Sequence, residues 1–388
     1  MNSEYEYVVV GLGGIGSGAA YWLARRAGGS VLGLEQFEMG HHRGASEDHS
    51  RIIRRSYHTP GYVRLAGEAY EAWRVLEAEA GEPLILRTGG LDLWPPDAAI
   101  PKTDYTRSMR ACGVPFEELD ASEIMRRWPA FRLEDGVEGV FQADAGIAAA
   151  TKCNEAHRRL ALEHGAVLRD RSPVLSVRSV AGEVEVATED AAYRCRRVVI
   201  AGDAWTNRLL KPLGRKLPLT ITQEQVTYFA ARDAGAFMPD RFPIWIWMDD
   251  PSFYGFPCFG EAGPKAAQDV GGRETTPASR TFESDGRALR RLSRFLERHL
   301  PGALGPVITT KTCLYTLTPD RDLVLDAVPG HPGVLVALGA AHGFKFASLF
   351  GRILSELTLD GVTDTDLEGF RIDRPVLTMK DPPKHFLT

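Results

Sequence analysis

The sequence predicts a protein of mixed α/β and α+β class, in which a parallel-sheet domain is interleaved along the chain with an antiparallel-sheet domain. Two observations lead to this prediction. A strand, a glycine-rich turn, a helix and a second strand follow one another at the start, and further apolar strands that run into glycine occur in the middle of the chain and near its end. The segments between them are rich in aromatic and β-forming residues. The simplest architecture is therefore two discontinuous domains.

The start of the chain predicts a nucleotide-binding loop. Tyr7–Val10 is apolar enough for a buried strand, Gly11–Gly16 has the GxGxxG pattern, and a second strand at Val31–Leu34 ends at Glu35. The glycines allow a tight turn, a close backbone approach to pyrophosphate and close helix packing, while the helix N-terminus offers free N–H groups. An acidic residue at the position of Glu35 can accept from a ribose hydroxyl. The pattern therefore predicts a Rossmann-like domain that binds NAD or FAD rather than NADP.

Helices and strands continue through the rest of the chain. The periodicity predicts helices at 66–80, 151–165, 286–300 and 346–359, and strands at 84–93, 166–168, 174–177, 184–186, 197–200 and 334–338. Aromatic residues concentrate in 220–320, which favours an antiparallel sheet there. We therefore assign 1–85, 146–219 and 320–388 to the nucleotide-binding domain, and 86–145 and 220–319 to the substrate domain.

Composition narrows the functional classes. The chain has 388 residues, of which 44% are hydrophobic and 25% charged, and its net charge of −5 disfavours nucleic acid as a partner. The first residues lack a basic region, and Val8–Val10 is too short for a signal or membrane segment, so we expect a cytoplasmic protein without a membrane partner. Five cysteines without a CxxC pair argue against a disulfide framework or a zinc site, and we expect no metal.

Five motifs in a fixed order carry a resemblance to a known family. They are Gly11–Gly16 with Glu35, Ser50–Tyr57, Tyr254–Gly260 followed by Lys265, Cys313–Asp320 and His342–Phe346. Over nearly its whole length the chain resembles the monomeric sarcosine oxidase family, which includes N-methyltryptophan and pipecolate oxidases and is related to glycine and D-amino acid oxidases. The resemblance implies FAD, a small secondary amine substrate with a carboxylate, oxygen as the acceptor, and a monomer.

The resemblance also implies that the flavin is bonded to Cys313 as 8α-S-cysteinyl FAD. A thiolate can add to the 8α carbon, and a nearby cation such as Arg51 would stabilise that thiolate. By spacing alone Cys313 could equally be a small buried hydrophobe at the end of a strand. The residues expected to bind the cofactor are Gly11, Gly13, Gly14, Ile15, Gly16, Glu35, Gln36, Gly44, Ser46, Arg51, Ile52, Val174, Gly202, Trp205, Cys313, His342, Gly343, Phe344 and Lys345.

The expected catalytic residues are Arg51, Arg54, Tyr254, Lys265, Tyr315 and Lys345. Arg54 offers a planar fork and Lys345 a point charge, which together could hold the substrate carboxylate. Tyr254 and Tyr315 could form the cavity walls, with an aromatic core as the alternative. The resemblance places Lys265 over the flavin, where its charge would stabilise superoxide. Without the family pattern, Lys265 would be interpreted as a loop lysine. Arg54 would likewise be interpreted as part of a surface ion pair.

Two positions depart from the family pattern. Glu47 and Asp269 stand where the family commonly has histidine, so each adds negative charge and could favour a more cationic amine. Trp245 and Trp247 could reshape the cavity or pack on one face of a strand. Sarcosine is therefore the first expected substrate, ahead of N-methylated or cyclic amino acids such as N-methyltryptophan, pipecolate and proline. The alternatives are an amino-acid dehydrogenase with noncovalent FAD, a flavin-binding protein without turnover, and a nicotinamide enzyme.

Overall fold

The computed structural model describes residues 5–387, so residues 1–4 and 388 of the predicted nucleotide-binding domain lie outside the described residues. The helices are α1 Gly14–Ala27, α2 Pro60–Ala80, α3 Lys102–Ala111, α4 Ala121–Arg127, α5 Ala150–Glu163, α6 Thr206–Leu210, α7 Gly286–His299, α8 Ala347–Leu359 and α9 Pro375–Thr378. Between residues 5 and 387, no helix combines the length and apolar character needed to cross a bilayer.

The strands are distributed over the whole described chain. They are β1 Tyr7–Val10, β2 Val31–Leu34, β3 Ser50–Ile53, β4 Ile85–Arg87, β5 Gly90–Trp94, β6 Glu117–Asp120, β7 Glu138–Gln142, β8 Gly146–Ala149, β9 Val167–Arg169, β10 Ser176–Val180, β11 Glu183–Ala187, β12 Ala192–Cys195, β13 Arg197–Ile200, β14 Thr220–Phe229, β15 Ile244–Trp247, β16 Phe253–Phe256, β17 Lys265–Gln268, β18 Arg273–Glu274, β19 Val307–Leu317, β20 Val324–Val328 and β21 His331–Leu338.

The first sheet has the order β20-β21-β13-β1-β2-β9, and all its pairings are parallel except β20 with β21. Side chains alternate across it: Val9 packs with α1 and α8, whereas Val8 and Val10 pack with the antiparallel sheet β10-β11-β12. The sheet is therefore the middle layer of three, and its carboxyl edge leads into the glycine-rich loop. The predicted fold class is confirmed.

The second sheet has the order β18-β14-β17-β16-β15-β5-β7-β6, and β19 pairs along β14. One face carries aromatic residues that pack on α7. Trp245 and Phe253 stack on Phe295 of that helix with ring centroids 5.8 and 4.1 Å apart, and Trp247 meets the same ring edge-on at 5.4 Å. Because successive strand residues point to opposite faces, Ile246 and Tyr254 point the other way.

Two predicted elements differ from the structure for local reasons. Helix α2 begins at Pro60, six residues before the predicted start, because Thr59 caps it by accepting from the Tyr62 amide and proline suits the first helical position. The strand predicted at 84–93 is broken into β4 and β5, since Gly89 adopts a φ of +75° that interrupts the pleat. A small sheet of the order β3-β8-β4 uses the first of these two pieces.

Candidate active site

A single cavity of about 470 Å³ brings most of the predicted residues together. The predicted residues that line it are Gly11, Gly13, Gly14, Ile15, Glu35, Gln36, Gly44, Ser46, Arg51, Ile52, Arg54, Gly202, Trp205, Tyr254, Lys265, Cys313, Tyr315, His342, Gly343, Phe344 and Lys345. Two lie elsewhere. Gly16 is enclosed by the loop, and Val174 packs in the apolar layer between the first sheet and β10-β11-β12. Residues far apart in sequence therefore converge on one space between the two large sheets.

The glycine-rich loop has the shape that a pyrophosphate needs. Gly11 adopts a φ of +91°, and a Cβ added at Gly16 would lie 1.7 Å from the Gly11 carbonyl oxygen, so the turn admits no side chain there. Helix α1 starts at Gly14 without an acidic residue in its first turn, and the Gly14 amide donates to Ser46 Oγ at 2.9 Å. The end of this helix therefore presents amides and a positive dipole to the cavity.

Glu35 lies where the sequence places a ribose acceptor, at the end of β2. Its side chain accepts from the amides of Leu12 at 2.8 Å and Phe37 at 3.1 Å, and His41 Nε2 lies 3.3 Å from it. Burial by itself would raise the pKa of Glu35, but His41 and these amides hold the pKa below its ordinary value. The carboxylate is thus kept ionised and fixed at the carboxyl edge of the sheet.

Cys313 lies on β19 opposite Glu224 of β14, and its side chain lines the cavity. Thr310, Lys311, Thr312 and Tyr315 of the same strand line the cavity too. Burial raises the pKa of the Cys313 thiol to about 11, while Arg51 acts in the opposite direction. Arg51 itself donates to backbone oxygens, that of Ser50 at the start of β3 at 2.9 Å and that of Glu47 in the preceding loop at 2.8 Å.

The other end of the cavity holds a cluster of buried cations. Arg54 Nη1 donates to both oxygens of Asp92 at 2.9 Å, and Lys345 Nζ donates to the His342 carbonyl oxygen at 2.8 Å. Burial, together with Arg54 and Arg321, lowers the pKa of Lys345 to about 7. Within residues 5–387, no carboxylate lies within ion-pair distance of Lys345. Asp269 acts on it only from beyond that distance, so this lysine is a buried cation without a directly paired carboxylate.

The two acidic residues that depart from the family pattern, Asp269 and Glu47, are each paired with an arginine. Asp269 accepts from Arg321 at 2.7 and 2.9 Å inside the cavity. Glu47 faces α5, where its carboxylate lies 3.7 Å from Arg158 and accepts from the amide of Asn154 at 3.2 Å. The negative charge that each adds is thus offset locally, and only Asp269 lies near the cationic end of the cavity.

The walls of the cavity are set by the pleat of the second sheet. Asp92, Ile246 and Tyr254 stand side by side on β5, β15 and β16, on the face opposite the tryptophans. The hydroxyls of Tyr254 and Tyr315 lie 3.4 Å apart. Trp245 and Trp247 pack on α7 and do not line the cavity, so the wall there is formed by Ile246 and the two tyrosines.

Lys265 is the most enclosed cation of the site, with 2% of its surface exposed. Its Nζ donates to Asp48 Oδ2 and to the Ser50 carbonyl oxygen, both at 2.9 Å, and lies 4.1 Å from the centroid of the Phe256 ring. Burial lowers the pKa of Lys265 to about 8, although Asp48 opposes this shift. The ammonium is therefore held in place by one carboxylate, one carbonyl and one aromatic face.

Asp48 is a residue that the sequence reasoning missed. Its backbone adopts a φ of +123°, a conformation that costs a residue with a side chain about 1–3 kcal/mol. Its carboxylate also accepts from Tyr228 at 2.9 Å and from Lys311 at 3.1 Å. Asp92 and Arg321 were missed as well. The alternation of strand β5 could have pointed to Asp92, whereas no local pattern marks Asp48 or Arg321.

The loop, the acidic residue at the strand end and the cationic cavity define a dinucleotide-dependent oxidoreductase. Comparison with known proteins identifies which kind, since the model of the family described as FAD dependent oxidoreductase matches residues 6–357. The chain therefore belongs to the FAD-dependent oxidoreductases, as the resemblance predicted.

Relatives of this family match the chain over nearly its full length. Monomeric sarcosine oxidase of Streptomyces avermitilis is 34% identical over 94% of this chain and 96% of its own. Peroxisomal sarcosine oxidase of Homo sapiens is 32% identical over 95% and 96%. Among solved structures, NikD, described as an unusual amino acid oxidase essential for nikkomycin biosynthesis, superimposes with a TM-score of 0.84 at 29% identity, covering 95% of this chain and 98% of that one.

Proposed function

We propose that the protein is a flavin-dependent oxidase of small secondary amino acids, with sarcosine as the first substrate. The reaction is sarcosine plus water plus oxygen giving glycine, formaldehyde and hydrogen peroxide. The observation that carries this proposal is Lys345, a buried cation beside Arg54 that has no carboxylate partner within the described chain. The relatives named as sarcosine oxidases support the same substrate class.

The residues present fit FAD. The enclosed turn at Gly11–Gly16 and the N-terminus of α1 suit the pyrophosphate, and Glu35 suits the ribose. Cys313 opens into the same cavity, so a thioether from its Sγ to the 8α carbon is the attachment we propose. When bound, FAD would accept a hydride equivalent from the substrate and pass the two electrons to oxygen.

The cationic end of the cavity orients the substrate. Three cations, Arg54, Arg321 and Lys345, stand against two carboxylates, Asp92 and Asp269, so one positive charge is left for a bound carboxylate. Arg54 contacts Asp92 through Nη1 alone, so its Nη2 is not used by that carboxylate. Lys345 and Arg54 therefore hold the substrate carboxylate, and that contact positions the carbon bonded to the amine, which in sarcosine is the N-methyl carbon, for hydride loss.

The same charges favour the reactive form of the substrate. Hydride loss requires a neutral amine, and the excess positive charge lowers the pKa of a bound ammonium. Tyr254 and Tyr315 contribute hydroxyls to the wall, where they can orient that amine. The apolar side chain of Ile246 completes this wall and limits the room for the N-substituent.

The division into domains follows the two large sheets. We infer that 1–85, 146–219 and 320–388 hold the cofactor, since every strand of the first sheet falls within these ranges. All the strands of the second sheet fall within 86–145 and 220–319, which we assign to substrate binding. The cavity between the sheets is then the place where cofactor and substrate meet. A monomer in the cytoplasm remains our expectation for the whole protein.

A substrate screen tests the function directly. Purified holoprotein is mixed in air with sarcosine, N-methyltryptophan, pipecolate or proline, and hydrogen peroxide is measured; anaerobic bleaching of the flavin is followed in parallel. We expect the fastest turnover with sarcosine. A faster response to another secondary amino acid would replace sarcosine as substrate, and an unbleached flavin with every amine would refute the oxidase. Yellow colour that stays with acid-precipitated protein would support the tether, and its complete release would refute it.

A further inference from the structure

We propose that Asp48 is the positioning residue that keeps Lys265 protonated and aimed into the cavity, so that the reduced cofactor can react with oxygen. The inference rests on the proposed function, in which Lys265 stabilises the negative charge that develops on oxygen. Asp48, the residue that it adds, lies outside the five motifs that carry the family resemblance. The carboxylate is built into the loop before β3, and its partners come from β14, β17 and β19.

The geometry around Lys265 leaves little freedom. Asp48 Oδ2 and the Ser50 carbonyl oxygen both accept from Nζ at 2.9 Å, and the Phe256 ring covers the ammonium at 4.1 Å. Lys265 is opposite Phe256 on one neighbouring strand and Tyr228 on the other. With two of its three protons directed to fixed acceptors, the direction of the charge is determined by Asp48 and Ser50.

The backbone of Asp48 is held in a strained conformation. Its φ of +123° is a conformation that glycine adopts readily and aspartate does not. The position is nevertheless enclosed, with 8% of its surface exposed, and its carboxylate is also held by the Tyr228 hydroxyl at 2.9 and 3.0 Å. Thr151 Oγ1 donates to the Asp48 carbonyl oxygen at 3.0 Å. The strain is balanced by contacts that require the carboxylate.

The charges that face Lys265 explain why it needs a counter-ion. Asp48 is the only carboxylate among the described residues within ion-pair distance of it, whereas Arg51 and Lys311 both repel its proton. Burial by itself would raise the pKa of Asp48, but Lys265, Arg51 and Lys311 hold the pKa far below its ordinary value, so the carboxylate stays ionised. Without Asp48, burial and the two remaining cations would drive the Lys265 pKa below about 8.

A second layer of charges isolates this pair from the surface. Lys311 Nζ is shared by Asp48 at 3.1 Å and Glu261 at 3.0 Å, and Glu261 in turn lies 3.1 Å from His49 Nε2. Glu261 is therefore, like Asp48, a carboxylate paired with Lys311, but it is one ion pair further from Lys265. It does not contact Lys265, which makes Glu261→Gln a matched control for the removal of one negative charge.

The chemistry served by Lys265 is the reduction of oxygen. Oxygen takes up two electrons from the reduced flavin and two protons to give hydrogen peroxide, and the first electron creates superoxide, whose charge a nearby ammonium stabilises. Lys265 acts only while it carries its proton. Below a pH of about 8 the ammonium is present, and above it the neutral amine loses the effect. The pH at which reoxidation slows therefore reports the protonation of this lysine.

The experiment compares Asp48→Asn, which keeps the shape and removes the charge, with Asp48→Gly, which also relieves the backbone. The holoenzyme is reduced with substrate without oxygen, then mixed with oxygenated buffer at a series of pH values. We expect reoxidation of the unchanged protein to slow as pH rises through about 8. In both variants the fall should occur at least about one pH unit lower, because the counter-ion is gone; reoxidation should then be roughly fivefold slower at pH 8, approaching about tenfold at higher pH. Glu261→Gln should resemble the unchanged protein, and anaerobic reduction by substrate should keep its rate in all of them.

A second measurement does not depend on turnover. In holoenzyme labelled with ¹⁵N-lysine, the Nζ resonance that disappears in Lys265→Met belongs to Lys265, and its titration should move to lower pH in both Asp48 variants. An unmoved titration and an unmoved reoxidation profile in Asp48→Asn would overturn the inference, as would a shift in Asp48→Gly alone, which would point to the backbone. If Lys265→Met reoxidises normally while the titration still moves, the proposed role of Lys265 in oxygen reduction fails, and Asp48 is left as its counter-ion only.

Discussion

The two buried lysines of the cavity are held in opposite ways. Lys265 has a carboxylate of the protein, Asp48, at 2.9 Å, whereas Lys345 has only the His342 carbonyl oxygen at 2.8 Å and lies beside two arginines. Burial lowers the pKa of both, to about 8 for Lys265 and about 7 for Lys345. A buried ammonium with an internal counter-ion can stay charged throughout a catalytic cycle. One without it becomes fully charged only when a ligand brings the missing carboxylate.

From this difference we expect the two lysines to serve separate half-reactions of the proposed oxidase. Lys345 should respond to the arrival of substrate, so changes to it should affect binding and flavin reduction. Lys265 is already compensated, so changes to it should affect only the reaction with oxygen. Each lysine variant below is therefore expected to alter one half-reaction and leave the other, and a lysine variant that alters both would break the comparison.

The largest effect is expected from Lys265→Met. Removing a charge aimed at a developing anion lowers rates by about 10²–10³-fold, and we expect that loss in the reoxidation of reduced flavin. Lys265→Arg keeps the charge and should recover part of the rate. Rapid mixing of reduced protein with oxygen measures it. An equal loss in anaerobic reduction by sarcosine would mean that Lys265 also serves the substrate.

Lys345→Met should have the next largest effect. A hydrogen bond to a charged group contributes about 1.5–3 kcal/mol, so kcat/KM for sarcosine should fall about 10- to 100-fold while reoxidation is unchanged. Lys216→Met, at an exposed position, is the matched control. Steady-state rates at varied sarcosine concentration check this prediction, and an unchanged kcat/KM would remove Lys345 from the carboxylate site.

The binding of an amine-free carboxylate should depend on pH through Lys345. Lys345 is protonated below a pH of about 7 and neutral above it, and a bound carboxylate raises its pKa. The inhibition constant of methoxyacetate should therefore rise with pH above about 7, by up to tenfold per pH unit. In Lys345→Met this slope should be absent. A slope that persists in the variant would assign the titration to another group.

The smallest effect is expected from Glu47→Gln. Its carboxylate faces Arg158 and Asn154 on α5, away from the cationic end of the cavity. An ion pair of this kind is worth about 0–1 kcal/mol, so both half-reactions should stay within about fivefold of the unchanged protein. Asp269→Asn, which frees Arg321 inside the cavity, should change the sarcosine KM more than Glu47→Gln does. The reverse order would show that Glu47 reaches the substrate.

Local patterns predicted much of this molecule. The loop Gly11–Gly16 and the strand before Glu35 are contiguous, so their spacing determines their structure. The motifs that carried the resemblance also supplied Arg54, Lys265 and Lys345, which line the cavity as expected. Their chemical roles still depend on the experiments above.

The features that could not be predicted depend on contacts between distant residues. Asp48 meets Lys265 and Lys311 across 217 and 263 residues, and a φ of +123° is not signalled by an aspartate. The pairing of Arg321 with Asp269 likewise exists only once two strands are in place. Val174 was expected to bind the cofactor, but its side chain packs into the apolar layer instead. Periodicity identifies elements and does not specify which side chains face each other.

The position of Cys313 has a mechanical consequence. Strand β19 belongs to the second sheet, whereas Gly11–Gly16 follows the first strand of the first sheet. A flavin bonded to Cys313 and bound by this loop would cross-link the two sheets. It would join two points, Gly11 and Cys313, that are 302 residues apart in the sequence. Pulling the sheets apart would then require releasing the dinucleotide, so unfolding of the loaded protein should occur as one cooperative event.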